Sequence, residues 1–241
     1  MNVKTPPDTP TATTFSPANY ATVSVAAGVI FFALAIWIAR QGTNVPEIDR
    51  QIHNWVITNR SHGSIQIARA ITWGGVTTIV LPLLIVVGVV ATEGGRQFTR
   101  RLRSGFIITF LASIGVFLGL QINALEGRVR PPLADWAGSA GGPSFPSGHT
   151  TVSSLFAASC AWVIATRVQS GWPRRSIWIG AVIYVFAVGL SRIWLGVHWP
   201  TDVLGGWLYA ITWLAASAAL VLLVRQRRTT RQARVAAALK I

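Results

Sequence analysis

Six stretches of this chain contain no Asp, Glu, Lys or Arg: residues 20–39, 73–92, 104–123, 150–165, 176–190 and 203–224. A helix needs about 20 predominantly apolar residues to cross the hydrocarbon core of a bilayer. Inside lipid, a spanning segment must also satisfy its own backbone N–H and C=O groups. No period-two alternation points to strands, and no internal repeat is visible. These stretches therefore predict an all-α, polytopic membrane helical bundle of about six transmembrane helices, with the ends of the fourth and fifth spans the least defined. Charged residues make up 12% of the chain, against about 25% in an average soluble domain, so most of the chain faces something other than water.

The first span reads as a retained anchor rather than a cleaved signal peptide. Its apolar run is long for a signal, and only Lys4 precedes it as a positive residue. Net charge is +14, which invites a nucleic-acid reading, but the distribution points elsewhere. With the N-terminus inside, 14 of the 21 basic residues fall on the inner side: Lys4, Arg96, Arg100, Arg101, Arg103, Arg167, Arg174, Arg175, Arg225, Arg227, Arg228, Arg231, Arg234 and Lys240. Arg40, Arg50, Arg60, Arg69, Arg128, Arg130 and Arg192 fall outside. Positive residues concentrate in cytoplasmic loops, and a basic tail suits anionic lipid. The expectation is a multi-pass protein of the plasma (inner) membrane with both termini cytoplasmic, a bilayer partner and no nucleic-acid partner. The lone Cys160 lies inside the fourth span and can form no internal disulfide.

Residues 1–19, rich in Pro and Thr, are expected to be disordered. Residues 20–224 form the transmembrane domain, and 225–241 a basic cytoplasmic tail. Between the first two spans, Asn44 followed by Glu47 resembles a capped helix start, and Ile48, Ile52, Trp55 and Val56 share one helical face. This predicts an amphipathic helix over about 45–70, lying at the outer interface. Small residues in the spans (Gly180, Ala181, Gly205, Gly206, Ala215, Ala216) permit close helix packing, without specifying an oligomeric state.

Three short segments between the spans carry chemistry: Arg130-Pro131; Pro146-Ser147-Gly148-His149; and Ser191-Arg192 with His198 and Asp202. The charge layout puts both motif-bearing loops on the outer side, where distant parts of the chain can converge. A Pro-Ser-Gly turn entering a helix presents backbone N–H groups to an anion, although Ser147 could equally cap that helix. His198 and Asp202, four apart, face each other if they share a turn. A carboxylate on Nδ1–H then leaves Nε2 free as nucleophile or base. The alternative is a capping pair at the start of the sixth span. Arg130 and Arg192 match phosphate oxygens in bidentate geometry, or snorkel to headgroups.

Taken together, the segments resemble the type 2 phosphatidic acid phosphatase (PAP2) superfamily, which shares its site with vanadium haloperoxidases. The family pattern is Lys, six residues, Arg-Pro; then Pro-Ser-Gly-His; then Ser-Arg, five residues, His, three residues, Asp. The second and third parts match at Pro146 to His149 and at Ser191, Arg192, His198 and Asp202, and the end of the first at Arg130-Pro131. The resemblance covers roughly residues 48–224. It implies that His198 attacks phosphorus and forms a phosphohistidine, that Asp202 orients it, and that His149 protonates the leaving oxygen and then activates water. It also implies that Arg130, Arg192, Ser147, Gly148 and the adjoining Pro146 turn hold the phosphate, with no metal and no cofactor. Where the family has lysine this chain has Asn123, which would also face the phosphate but without charge. Charged hydrogen bonds contribute about 1.5–3 kcal/mol and neutral ones about 0.5–1.5, so the change corresponds to a rate factor of about 5–30. Arg128 is the nearest cation to compensate.

The reading implied is a membrane lipid phosphatase acting on a phosphomonoester or diphosphate at the extracytoplasmic face. Undecaprenyl diphosphate ranks first, with phosphatidylglycerol phosphate and phosphatidate as alternatives. A phosphotransferase, or a non-enzymatic binder of lipid phosphates, would use the same fold. Haloperoxidase chemistry belongs to soluble relatives and does not suit these apolar spans.

Overall fold

The computed structural model describes residues 16–90, 98–165, 167–168 and 171–238. Its α-helices are α1 (Pro17–Gln41), α2 (Glu47–Asn59), α3 (His62–Thr72), α4 (Thr77–Val90), α5 (Phe98–Glu126), α6 (Gly148–Ala165), α7 (Trp172–Trp194) and α8 (Pro200–Ala238). Short 3₁₀ turns lie at Trp73–Gly75 and Leu133–Asp135. The all-helical expectation holds among the described residues.

Four helical segments are long and apolar enough to cross a membrane: Pro17–Gln41, Phe106–Glu126, Trp172–Trp194 and Pro200–Gln232. A fifth arises if His62–Gly75 and Thr77–Leu84, bent by 52° at their break, are taken as one span. The remaining segment expected to span, α6, is the polar one. It carries Thr150, Thr151, Ser153, Ser154 and Ser159, all buried, and it packs against α4, α5, α7 and α8. A helix enclosed by protein has no need of an apolar surface, and small side chains let its neighbours approach closely. Outward faces of the longer helices show the opposite character: Val25, Val29 and Phe32 on α1, Phe106 and Phe117 on α5, and Val182 and Ile183 on α7 are exposed. In water such surface would be a liability; in a bilayer it is the solvent-facing side.

α1 runs along α8. Ser24 Oγ donates to the Thr212 carbonyl at 2.9 Å, and a Cβ at Gly28 would come within 3.3 Å of Thr212 Cγ2. α8 is tied to α5 by Tyr209 Oη donating to Gly115 O at 2.7 Å and Trp213 Nε1 donating to Leu111 O at 2.8 Å. At the end of the bundle where α5 and α7 finish and α6 and α8 begin, Phe31, Phe145 and Tyr209 form a buried aromatic cluster.

Several boundaries differ from the sequence expectation. Ser16 caps α1, so Pro17 to Asn19 are helical rather than part of a disordered segment; residues 1–15 lie outside the described residues. The outer-interface helix over about 45–70 is two helices, because Ser61 caps α3 through a reciprocal box with Ser64. Asn44 is not the cap of α2; that position is Pro46, with no side-chain capping bond. Of the apolar residues on α2, Ile52 and Val56 pack with Ile193 and Val203. The buried face of α2 is Asp49, His53 and Val56, while Ile48 and Trp55 are exposed. Finally, α8 continues through Arg225 to Ala238, so the basic tail is helical over that range.

Candidate active site

The end of α7 explains the spacing of the third motif. Gly196 has φ +69°. Its N–H donates to Ile193 O at 2.9 Å, and that of Val197 to Arg192 O at 3.3 Å, the paired bonds of a Schellman ending. The chain reverses there, which returns His198 to within electrostatic reach of Arg192. Trp199 then serves as the entry to α8: Asp202 N and Val203 N donate to its carbonyl, and its own N–H donates to Asp202 Oδ2 at 2.8 Å. His198 therefore lies just outside the helix rather than within the same helical turn as Asp202. Both readings of Asp202 are realised: its Oδ2 caps the helix entry and also meets His198 Nδ1 at 3.3 Å.

The tautomer of His198 follows from its partners. Arginine has no acceptor, so Arg130 Nη1, at 2.9 Å from His198 Nε2, must donate to it. Nε2 then carries the lone pair and Nδ1 carries the hydrogen, directed at Asp202. Burial pushes the His198 imidazole down to about 4, although the Asp202 hydrogen bond and charge pull the other way. The unliganded ring is neutral, with its lone pair facing a cation. Arg130 is held by four further acceptors: Gly142 O, Val197 O, Gly141 O and Pro143 O, at 2.8–2.9 Å. Burial lowers its pKa from the ordinary arginine value, with Asp202 opposing.

The second motif lies against the third. Ser147 N donates to Asp202 O at 3.0 Å, while Ser147 Oγ accepts from Thr150 Oγ1 at 3.0 Å and, weakly, from Thr150 N at 3.5 Å. Its hydroxyl is engaged in capping α6. Pro146 is buried, and Gly148, the first residue of α6, and His149 are partly exposed. A Cβ on Gly148 would meet nothing within 4 Å, leaving open space at the helix N-terminus. His149 sits against the Trp73–Gly75 turn, since a Cβ on Gly75 would lie 2.8 Å from that of His149. Arg192, His198 and Arg130 are close enough to act electrostatically on its ring.

Arg192 is 2% exposed. It donates to Thr72 Oγ1 at 2.8 Å and to Ser139 O at 3.1 Å, while its buried Nε has no partner among the described residues. An unsatisfied buried donor is costly, and an incoming phosphate oxygen would satisfy it. Asn123 is committed elsewhere. Its Nδ2 donates to the carbonyls of Pro143, Phe145 and Pro146 at 3.0–3.1 Å, holding the loop ahead of the Pro-Ser-Gly-His turn.

Arg128 does not stand in for the family lysine. Its Nη1 donates to Thr201 Oγ1 at 2.7 Å and to Asp202 Oδ1, and its Nη2 to Asp49 Oδ2 at 2.7 Å. Ser144 Oγ donates to Asp202 Oδ2. Asp49, Arg128 and Ser144 are thus part of the site; sequence reasoning assigned neither Asp49 nor Ser144 there, and offered Arg128 only as a substitute for the family lysine. One signal was available for Asp49: it is one of seven acidic residues in the whole chain, and scarce carboxylates in membrane proteins tend to be functional.

A family model described as the PAP2 superfamily matches residues 125–229, which takes in Arg130, His149, His198 and Asp202. Phosphatidylglycerophosphatase B of Bacillus subtilis is 30% identical over 183 residues, covering 73% of this chain and 85% of that protein. Undecaprenyl-diphosphatase BcrC of the same organism is 44% identical over 68 residues, 28% of this chain and 30% of that protein. Among solved structures, a transmembrane PAP2-type phosphatidylglycerolphosphate phosphatase from Bacillus subtilis superposes with a TM-score of 0.68 at 24% identity, covering 85% of this chain and 96% of that one.

Proposed function

This chain belongs to the PAP2 superfamily, and from that premise we propose that it removes a phosphate group from a membrane lipid through a phosphohistidine on His198. The observation that carries this is the arrangement around one imidazole. Nδ1–H is directed at the buried Asp202, and the Nε2 lone pair lies 2.9 Å from Arg130. A substrate phosphate entering beside Arg130, Arg192 and the Gly148 amide would draw Arg130 from nitrogen to phosphate oxygen and expose the lone pair to phosphorus. Nε2 then forms the P–N bond as the P–O bond to the lipid breaks. His149, which takes up a proton as the negative phosphate enters among Arg192, His198 and Arg130, gives that proton to the leaving oxygen. In the second step water attacks phosphorus, His149 takes its proton, the P–N bond breaks, and phosphate leaves. Arg130 and Arg192 hold the negative charge that builds on the equatorial oxygens, Asp202 keeps the ring oriented, and Ser147 and Pro146 shape the turn.

The substrate proposed first is undecaprenyl diphosphate. This rests on the charge layout, which favours a site at the outer face of the plasma membrane. Phosphatidylglycerol phosphate is the second reading, favoured because the relative aligned over most of this chain is named for that substrate. Phosphate release by the purified protein in detergent with EDTA, from undecaprenyl diphosphate, phosphatidylglycerol phosphate and phosphatidate, is the test. Release from one lipid, reduced by at least about 10³-fold in His198→Ala, is expected. Full activity in that variant would overturn the mechanism, and transfer of label to a second lipid would turn hydrolysis into phosphotransfer.

A further inference from the structure

Asp49 lies on α2, about 150 positions from the residues it meets at the start of α8, and is fully buried. Its Oδ1 accepts from Thr201 N at 2.9 Å, and its Oδ2 from Thr201 Oγ1 at 2.6 Å and Arg128 Nη2 at 2.7 Å. The other end of the Arg128 guanidinium is on Asp202 Oδ1. Asp202 Oδ2 is left to His198 Nδ1, Trp199 N and Ser144 Oγ. A line of charges therefore runs Asp49, Arg128, Asp202, His198, with Asp49 and Asp202 wholly buried and Arg128 nearly so.

We propose that Asp49 and Arg128 are positioning residues for His198, acting through Asp202. This rests on the reading of His198 as the nucleophile. Their roles differ. Arg128 holds Oδ1 and so fixes the plane of the carboxylate, which aims Oδ2 at Nδ1. Asp49 neutralises Arg128. Without it, the guanidinium charge would be satisfied by Asp202 alone, drawing negative charge away from the imidazole just when phosphorylation makes that ring positive. With Asp49 present, the Asp49–Arg128 pair is neutral and the full charge of Asp202 faces His198. Asp49 and Arg128 contact each other, Thr201 and Asp202, so their effect belongs to turnover rather than to substrate affinity. A buried network of this kind is strongly non-additive.

The experiment compares Asp49→Asn, Arg128→Met, Arg128→Lys and the Asp49→Asn/Arg128→Met double variant with wild type and with His198→Ala. Each is measured for thermal unfolding midpoint, kcat and KM on whichever lipid phosphate or diphosphate the wild type hydrolyses. Asp49→Asn and Arg128→Met are expected to lower kcat about 10- to 100-fold with KM changed less than about 3-fold. Arg128→Lys keeps the charge but lacks the two-ended fork, and should recover part of the loss. The double variant should be far better than the product of the two single losses. Folded Asp49→Asn and Arg128→Met proteins with kcat within about twofold of wild type, while His198→Ala is inactive, would overturn this inference alone. Retained turnover in His198→Ala would overturn the nucleophile reading beneath it. Should Arg128→Met not fold, the kcat of Asp49→Asn and Arg128→Lys decides on the same limits.

Discussion

At the scale of single residues, His198 shows how one position serves two requirements. Nucleophilicity needs a neutral imidazole with its lone pair on Nε2; burial keeps the ring neutral, and the Arg130 donor fixes the lone pair on that nitrogen. That burial also links the residue to stability. With the folded value pushed down to about 4 and the unfolded value near about 6.5, the unfolded chain takes up the proton first as pH falls. The stabilising contribution is therefore complete above about pH 6.5 and is lost as pH falls through about 4. The unfolding midpoint of the wild type should drop more steeply between pH 7 and pH 4 than that of His198→Gln. Parallel curves in the same detergent would show that His198 is not buried as described. The spacing of His198 and Asp202 left a paired imidazole and a helix cap both open, and Asp202 Oδ2 meets both His198 Nδ1 and Trp199 N. The partner that fixes the tautomer was not legible, because Arg130 and His198 are 68 positions apart with α6 and α7 between them.

At the scale of elements, the site depends on how closely α8 approaches the Pro-Ser-Gly-His turn. A Cβ at Gly205 would lie 2.2 Å from Phe145 Cε2, and one at Gly206 would lie 2.9 Å from Thr150 Cβ and 3.0 Å from Ser147 O. Phe145, the residue before Pro146, is fully buried and stacked on Phe31, which in turn meets Tyr209, so it cannot move without displacing Phe31. Gly205→Ala should cost about 1–3 kcal/mol of stability through overpacking and reduce turnover by shifting the turn. Gly180→Ala on α7, with nothing within 4 Å of the added carbon, should leave both unchanged. Thermal unfolding and phosphate release on the pair read the difference. The sequence marks these glycines as sites of close packing but does not name the partner. Likewise the apolar stripe of α2 was visible, yet its direction was not: Asp49 and His53 point inward because Arg128, Thr201 and Asp135 are there to receive them.

At the scale of the whole molecule, α5 and α7 end at the site while α6 and α8 begin there. Arg174 and Arg175 at the start of α7, and Arg225 to Arg234 along the far part of α8, consequently lie toward the opposite end of the bundle. At about 1.5 Å per residue, the 39-residue α8 exceeds the roughly 30 Å of bilayer hydrocarbon and carries its arginines beyond it. The positive-inside tendency then predicts an outward-facing site. In a Cys160→Ser background, Asn54→Cys on α2 should react with a membrane-impermeant maleimide in intact cells, and Arg228→Cys only after permeabilisation. The reverse pattern would place the site in the cytoplasm and remove the case for an outer-leaflet substrate.

Uncharged stretches were enough, without coordinates, to define an all-helical membrane bundle, and motif spacing with the family resemblance singled out His149, His198, Asp202, Arg130 and Arg192 as candidates. Lipid imposes apolarity on every outward residue, and the reaction imposes residue types at short spacing, so both leave local marks. Which helix sits at the centre, which way α2 faces, the engagement of Asn123 with loop carbonyls, and the joining of Asp49 through Arg128 to Asp202 were decided by tertiary structure. A buried polar group is stable only where a partner from elsewhere in the chain meets it, and no window of sequence contains that partner.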